Sequence, residues 1–237
     1  DLTEVIPCLG LIFNLGSDLV AYAGVHRGFS PPRVEDILTN AGGTVTLDPE
    51  RSINAEVGLR GSLRPGLTFD VGGFWFDFET QIVPASVAGG VGATLTSAGE
   101  TRHMGAELSL RGSLQEMGVL DGQDVFFRSA LTFIPQAEYT GRRTSAISGF
   151  SGVSVSGNRL PYAPEWIAAA AVGYARGDWL TAQIEAQYTG PQFTDDLNTR
   201  AATADGQRGR MDGFTVSNAT VNVTPASGPV TVYATVK

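Results

Sequence analysis

The chain has 237 residues, a formal net charge of −8 and a pI near 4.7, a balance that disfavours nucleic acid as a partner. Mean hydropathy is +0.02, and no run of about eighteen apolar residues occurs, which excludes a transmembrane helix. Glycine at 30 residues and proline at 12 suit turns and crowded sheets rather than a helical bundle.

Period-two alternation predicts about ten strands, near 5–14, 18–28, 51–63, 67–83, 101–113, 124–139, 162–176, 178–189, 212–224 and 229–237. Ala55, Val57, Leu59 and Leu63 oppose Glu56, Arg60 and Ser62. Ala106, Leu108 and Leu110 oppose Glu107, Ser109 and Arg111. The clearest case is 179–189, where Leu180, Ala182, Ile184, Ala186 and Tyr188 oppose Thr181, Gln183, Glu185, Gln187 and Thr189. Asn218, Thr220, Asn222 and Thr224 oppose Ala219, Val221 and Val223 in the same way, and Val230, Val232, Ala234 and Val236 oppose Thr231, Tyr233 and Thr235. The strand near 67–83 is ambiguous: Phe74, Phe76 and Phe78 share one face, Phe69, Val71 and Trp75 the other, and the pattern does not decide which is which.

The connections alternate in length. Tight turns fall at Leu15-Gly16-Ser17, Arg64-Pro65-Gly66, Arg176-Gly177-Asp178 and Pro225-Ala226-Ser227-Gly228, with an intermediate connection near 114–123. Long polar loops fall near 29–50, 84–100, 140–160 and 190–210. A sheet with short connections at one end and long ones at the other predicts an all-β, antiparallel transmembrane β-barrel of the outer-membrane type. The polar faces are mostly Thr, Asn and Gln, as a hydrated lumen would be, and aromatics such as Tyr22, Phe29, Trp166 and Tyr188 sit near strand ends, as interfacial girdles do. A soluble sheet with one wet face, or ordinary aromatic enrichment in strands, gives the same pattern. The patterned start at Asp1 and the strand-like end Thr231–Lys237 read as part of a longer chain, whose remaining strands would close the sheet.

Few residues carry distinctive chemistry. Cys8 is alone, so no disulfide or thiolate cluster forms, and His26 and His103 lack neighbours that would complete a metal site. No cofactor is expected. Positive charge is nearly all Arg, with Lys237 the one lysine; this is either compositional bias or equipment for bidentate anion binding. Arg27 and Arg33 flank Pro31-Pro32 and either shape the loop exit or face an anionic ligand at a barrel mouth. Arg142, Arg143 and Arg159 lie in a loop free of Asp and Glu from Thr140 to Leu160, placed to contact an anionic ligand or lipopolysaccharide phosphates. Asp195, Asp196 and Asn198 read as Asx turn formers ahead of a Ca²⁺ site, and Gln187 as lumen lining or a ligand contact. No nucleophile elbow or paired catalytic spacing is present, so an enzyme is not expected.

Four segments carry a family resemblance. Val25–Arg33 resembles the GF-x-PP segment of TonB-dependent outer-membrane receptors, and Leu47–Gly58 their L-x-PE-x-S-x-N-x-E-x-G segment. Gly99–Leu108 is similar to their G-x-x-x-x-x-G-x-E strand start, and Val230–Lys237 to the strand before their C-terminal NLFD motif. Gly28–Arg33, Leu160–Pro164 and Gln192–Thr199 have the flavour of the ferric dicitrate type. The resemblance implies the C-terminal part of a bacterial outer-membrane barrel, without its plug domain and last strand or strands, in contact with lipid. It implies import of an iron chelate, of citrate or siderophore type, driven by TonB through the plug, with a full-length monomer. A passive channel or adhesin barrel, an outer-membrane hydrolase and a soluble β-sandwich binding module are the alternatives.

Overall fold

Alternating side chains and turn-rich connections lead to one meandering sheet. The computed structural model describes residues 4–32, 44, 46–84, 95–145, 147, 149–225 and 230–236. The strands are β1 (Cys8–Asn14), β2 (Leu19–Ser30), β3 (Glu50–Arg64), β4 (Leu67–Pro84), β5 (Leu95–Ser113), β6 (Gln123–Tyr139), β7 (Trp166–Arg176), β8 (Leu180–Thr189), β9 (Gln192–Phe193), β10 (Arg210–Met211), β11 (Phe214–Val223) and β12 (Val232–Val236). Ten of them form one sheet in the order β1-β2-β3-β4-β5-β6-β7-β8-β11-β12, each antiparallel to its neighbours, while β9 and β10 form a separate ribbon. Among the described residues the sheet is not closed on itself.

Connection lengths alternate as the sequence predicts. Residues 15–18, 65–66, 114–122, 177–179 and 224–231 link strands at one end, and 31–49, 85–94, 140–165 and 190–213 link them at the other. Three local differences have physical causes. The loop expected near 84–100 shortens, because β4 and β5 stay paired out to Pro84↔Leu95 through register shifts, and Gly99 at φ +74° supports the irregularity. β7 starts at Trp166 rather than 162, since Pro161, Pro164 and the left-handed Tyr162 interrupt the ladder. The ribbon β9–β10 lies inside the expected 190–210 loop; two-residue strands leave no periodicity to read.

Cross-strand register assigns the two faces. Ile184 stands opposite Val172 and Ala219, and Val221 opposite Ala182 and Ala234, so these form one apolar face. Gln183, Glu185 and Gln187 stand opposite Thr220, Asn218 and Val216 on the other. The ambiguous strand β4 is resolved by its partners: Phe74, Phe76 and Phe78 align with Glu56, Asn54 and Ser52 on the polar face, while Val71 and Trp75 align with Leu59 and Ala55 on the apolar one. Along β8, Leu180 to Tyr188 spans about 26 Å at about 3.3 Å per residue, or about 20 Å of depth at a tilt of about 40°.

Along the apolar face of the sheet, large side chains stay open among the described residues. Val57, Val172 and Ile184 are 61%, 54% and 60% exposed. Burial of the hydrophobic kind instead gathers under the loops, where Val83, Tyr139, Val155 and Leu160 cluster with Ala163 and Leu197 against them. Toward the long-loop end the apolar face stops at Trp75, Phe133, Trp166 and Tyr188, and charge follows at Arg27, Arg51, Asp77, Arg102 and Glu138. Phe133 stacks on Trp166 at 4.1 Å, and Arg102 lies 5.4 Å over Trp75 while bonding Asp77 at 2.9 Å. An aromatic border backed by charge is the profile of a hydrocarbon–water boundary.

Glycines on the polar face make room for aromatic neighbours. Tyr22 lies over Gly58, Phe74 over Gly105 and Phe126 over Gly173, each pair directly across from one another. A Cβ at any of the three would sit within 2.3 Å of a neighbouring atom. The missing side chains let rings lie flat against the sheet.

Candidate functional site

Two long loops, 140–165 and 190–213, are laced into one cap. Asp195 and Asp196 are 0% and 1% exposed. Asp195 Oδ1 accepts from the Leu197 amide at 3.0 Å and from Thr199 Oγ1 at 3.0 Å, the Asx turn its sequence suggests. Asp196 reaches across: its Oδ1 accepts from Ser145 Oγ at 2.8 Å, and its carbonyl accepts from Asn158 Nδ2 at 2.8 Å. The Tyr162 amide donates to the Phe193 carbonyl at 2.9 Å. Burial and the nearby Asp195 carboxylate both raise the Tyr162 phenol above its ordinary 10.0.

The expected ligand contacts separate into distinct places. Arg159 donates to the carbonyls of Ala163 at 2.6 Å, Ile134 at 2.7 Å, Pro164 at 3.0 Å and Pro135 at 3.2 Å, so its guanidinium is spent on its own chain. Burial lowers its pKa below the ordinary guanidinium value, opposed by Glu165 and Glu138. Asn198, at φ 53°, bonds the Arg159 backbone and forms part of the same staple. Arg27 shares a face with Val25 and Ile53 rather than with the polar side chains, and pairs with Glu4 at 3.3 Å and Glu79 at 3.9 Å. Arg143 lies 5.5 Å over the Tyr139 ring. Arg142 is exposed in the cap, and Gln187 is exposed on the polar face of β8. Arg33 falls outside the described residues.

Sequence reasoning did not single out Ser145 and Asn158, which with Tyr162 tie the two loops together. Ser and Asn in a Gly/Ser-rich loop look the same whether they bond across a gap or to water. His26 Nε2 meets Asn54 Nδ2 at 3.0 Å and His103 Nε2 meets Gln81 Oε1 at 3.2 Å, both on the polar face. Among the described residues no group of three or more His, Cys, Asp or Glu could hold a metal ion.

Two depressions mark the polar face and the loop end. One, about 700 Å³, lies toward the tight turns and is lined by Arg60, Asp70, Arg111, Arg128, Glu185 and Gln187 over a floor of alanines. The other, about 670 Å³ and beside the cap, is lined by Asp77, Glu79, Glu100 and Glu138 with Arg102, and its net charge repels anions.

A wet, charged face, a greasy opposite face with an aromatic border, and a built cap at one end only describe a wall segment of a membrane barrel. The model of the family described as TonB dependent receptor-like, beta-barrel matches residues 2–237. The chain belongs to the TonB-dependent receptor β-barrel family. Similar solved structures include the ferric citrate transporter FecA in the unliganded form, 21% identical with a TM-score of 0.64, covering 97% of this chain and 32% of that one. The ferric enterobactin receptor PfeA from Pseudomonas aeruginosa, a Q482A mutant in complex with enterobactin, is 16% identical with a TM-score of 0.62, covering 94% and 33%. The siderophore receptor PiuA from Acinetobacter baumannii is 17% identical with a TM-score of 0.61, covering 93% and 29%. At these identities the likeness shows the fold, and this chain spans about a third of each receptor. Receptors of this family are outer-membrane transporters and not enzymes.

Proposed function

We propose that the protein carrying this chain imports an iron chelate of citrate or siderophore type across the bacterial outer membrane, with energy supplied through TonB. The observation that carries this reading is the division of one sheet into an apolar face with an aromatic border and a polar face, with a loop cap at a single end. Family membership and the ferric citrate and siderophore receptors among its structural likenesses support the cargo class.

In this account further strands continue the sheet from β1 and β12 into a closed, monomeric barrel, because an open strand edge is not viable in hydrocarbon. The plug domain that the family resemblance implies lies outside this sequence and is the part that meets TonB. Arg142, exposed in the cap, and Gln187, on the lumen wall, are the expected contacts best placed to meet an incoming anionic chelate. Arg159 and Asn198 act on the ligand only through the shape of the cap.

Growth of an iron-starved strain deleted for this gene, on a panel of ferric chelates, tests the reading. Growth should be lost on one class, with ferric citrate foremost, and restored by the wild-type gene. Growth equal to wild type on every chelate overturns it.

A further inference from the structure

The basin on the polar face has a shape and a charge that the cap does not explain. Its floor is Ala130, Ala169 and Ala171: Ala130 and Ala169 stand opposite one another, and Ala171 stands between Arg128 and Glu185. They leave about 700 Å³ open between a wall of arginines on β3, β5 and β6 and the Glu185 and Gln187 wall of β8. A second depression of about 560 Å³ adjoins it, and the residues lining both are Thr68, Arg111 and Arg128.

Arg111 and Arg128 stand directly opposite one another on β5 and β6. Like charges at that position repel unless something anionic sits with them. Five carboxylates, Asp18, Asp70, Glu116, Asp124 and Glu185, stand against three arginines, so the pull on an anion is local to Arg111 and does not come from net charge. Arg128 bonds Glu185 at 3.2 Å. Arg60 stands opposite Asp70 in register and lies 5.6 Å over the Tyr22 ring. Asp18, at the rim, accepts from Ser17 Oγ. Glu116 and Asp124 line the adjoining depression, and Asp124 is engaged by the Gln115 amide at 2.9 Å. Arg111 makes no ion pair or hydrogen bond to a described residue.

We propose that Arg111 and Arg128 form a carboxylate-binding step in the lumen wall, on the tight-turn side of the barrel and apart from the loop cap. Guanidiniums from facing strand positions can each offer N–H donors to one carboxylate, and Arg128 keeps donors beyond the one that bonds Glu185. Thr68 offers a hydroxyl at the same point. The carboxylate comes either from a carboxylate-bearing chelate on its way through, or from an Asp or Glu side chain of a protein segment filling the lumen. The first source rests on the proposed transport function; the second does not.

The test uses the full-length receptor with Arg111→Gln and the double variant Arg111→Gln/Arg128→Gln, and Arg176→Gln, at the β7–β8 turn, as a control. Ferric citrate binding to purified protein, ferric citrate uptake by iron-starved cells, and thermal unfolding with hydrogen exchange are read for each. Uptake lowered about tenfold in the double variant, with binding, unfolding and exchange as in the control, assigns the carboxylate to the cargo. A lowered unfolding temperature with faster exchange in lumen-filling segments, relative to the control, assigns it to the protein. All four readouts unchanged in the double variant overturn the site. A wild-type receptor that neither binds nor takes up ferric citrate counts against that cargo, and unfolding and exchange then decide the arginine site alone.

Discussion

Arg159 and Asn198 hold each other through a reciprocal pair: the Arg159 amide donates to Asn198 Oδ1 at 2.8 Å, and Asn198 Nδ2 donates to the Arg159 carbonyl at 2.8 Å. A side-chain amide here takes the place of a strand partner and closes loop 140–165 onto loop 190–213. Because Asn198 also tolerates its φ of 53° better than most residues, one position supplies both the bond and the bend.

Replacing Asn198 with Ala removes both. The expected cost to the cap is about 1–3 kcal/mol, from stranded partners and from the left-handed backbone. Hydrogen exchange of residues 140–165 and 190–213 should speed up while β3 to β8 keep their protection. Unchanged exchange in both loops would show that the staple does not hold them.

An arginine introduced at Ile184 points into the apolar face near the middle of β8. In a bilayer it should cost about 2–4 kcal/mol, whereas Gln183→Arg, one residue away on the polar face, should cost far less. Denaturant unfolding of the receptor in liposomes measures both. Equal costs would mean that the two faces meet the same medium.

Gly105 shows the tightest backbone approach beside a ring. A Cβ there would lie 2.3 Å from the Phe133 carbonyl oxygen and 2.6 Å from the Phe74 ring, so Gly105→Ala must move the strand at the β5–β6 register shift. A loss of about 1–3 kcal/mol is expected. Gly10→Ala meets only the Ala23 carbonyl at 4.0 Å and should be nearly neutral, and comparison of the two unfolding midpoints checks this.

Tyr162 sets an alkaline limit on the cap. Its pKa is raised by burial and by Asp195, so the folded cap favours the protonated phenol. That contribution is fully present below the ordinary 10.0 and is lost as pH rises through the raised folded value. The phenolate absorbance titration of wild type minus that of Tyr162→Phe should show a component titrating above 10.0, accompanied by loosening of the cap. A component at or below that value would contradict the assignment.

Alternation made the sheet legible, because each strand has two different neighbours. Leu180 to Thr189 gives its faces from residue order alone, and its register with β11 agrees with them. The β4 aromatics were not legible, since Phe74, Phe76 and Phe78 occupy a polar face where glycines across the ladder make room for rings. The site was harder still. Arg159 and Arg142 look alike in the sequence, yet one is consumed by four carbonyls and the other is exposed, a difference set by Ile134 and Pro135 arriving from β6 and by the local turn that presents Ala163 and Pro164. Arg27 likewise sits beside a loop exit in sequence but turns to the apolar side, because strand parity fixes its face.

Spin labels can separate a hydrocarbon setting for Ile184 and Val221 from an aqueous one for Gln183 and Asn218. Single cysteines placed at these four positions, in receptor with Cys8→Ser, can carry spin labels in liposomes. Collisions with a lipid-dissolved and a water-dissolved relaxation agent then read each environment. Labels at 184 and 221 should meet the lipid agent and those at 183 and 218 the aqueous one. Labels at 184 and 221 shielded from both, as inside a sealed protein core, would contradict this orientation.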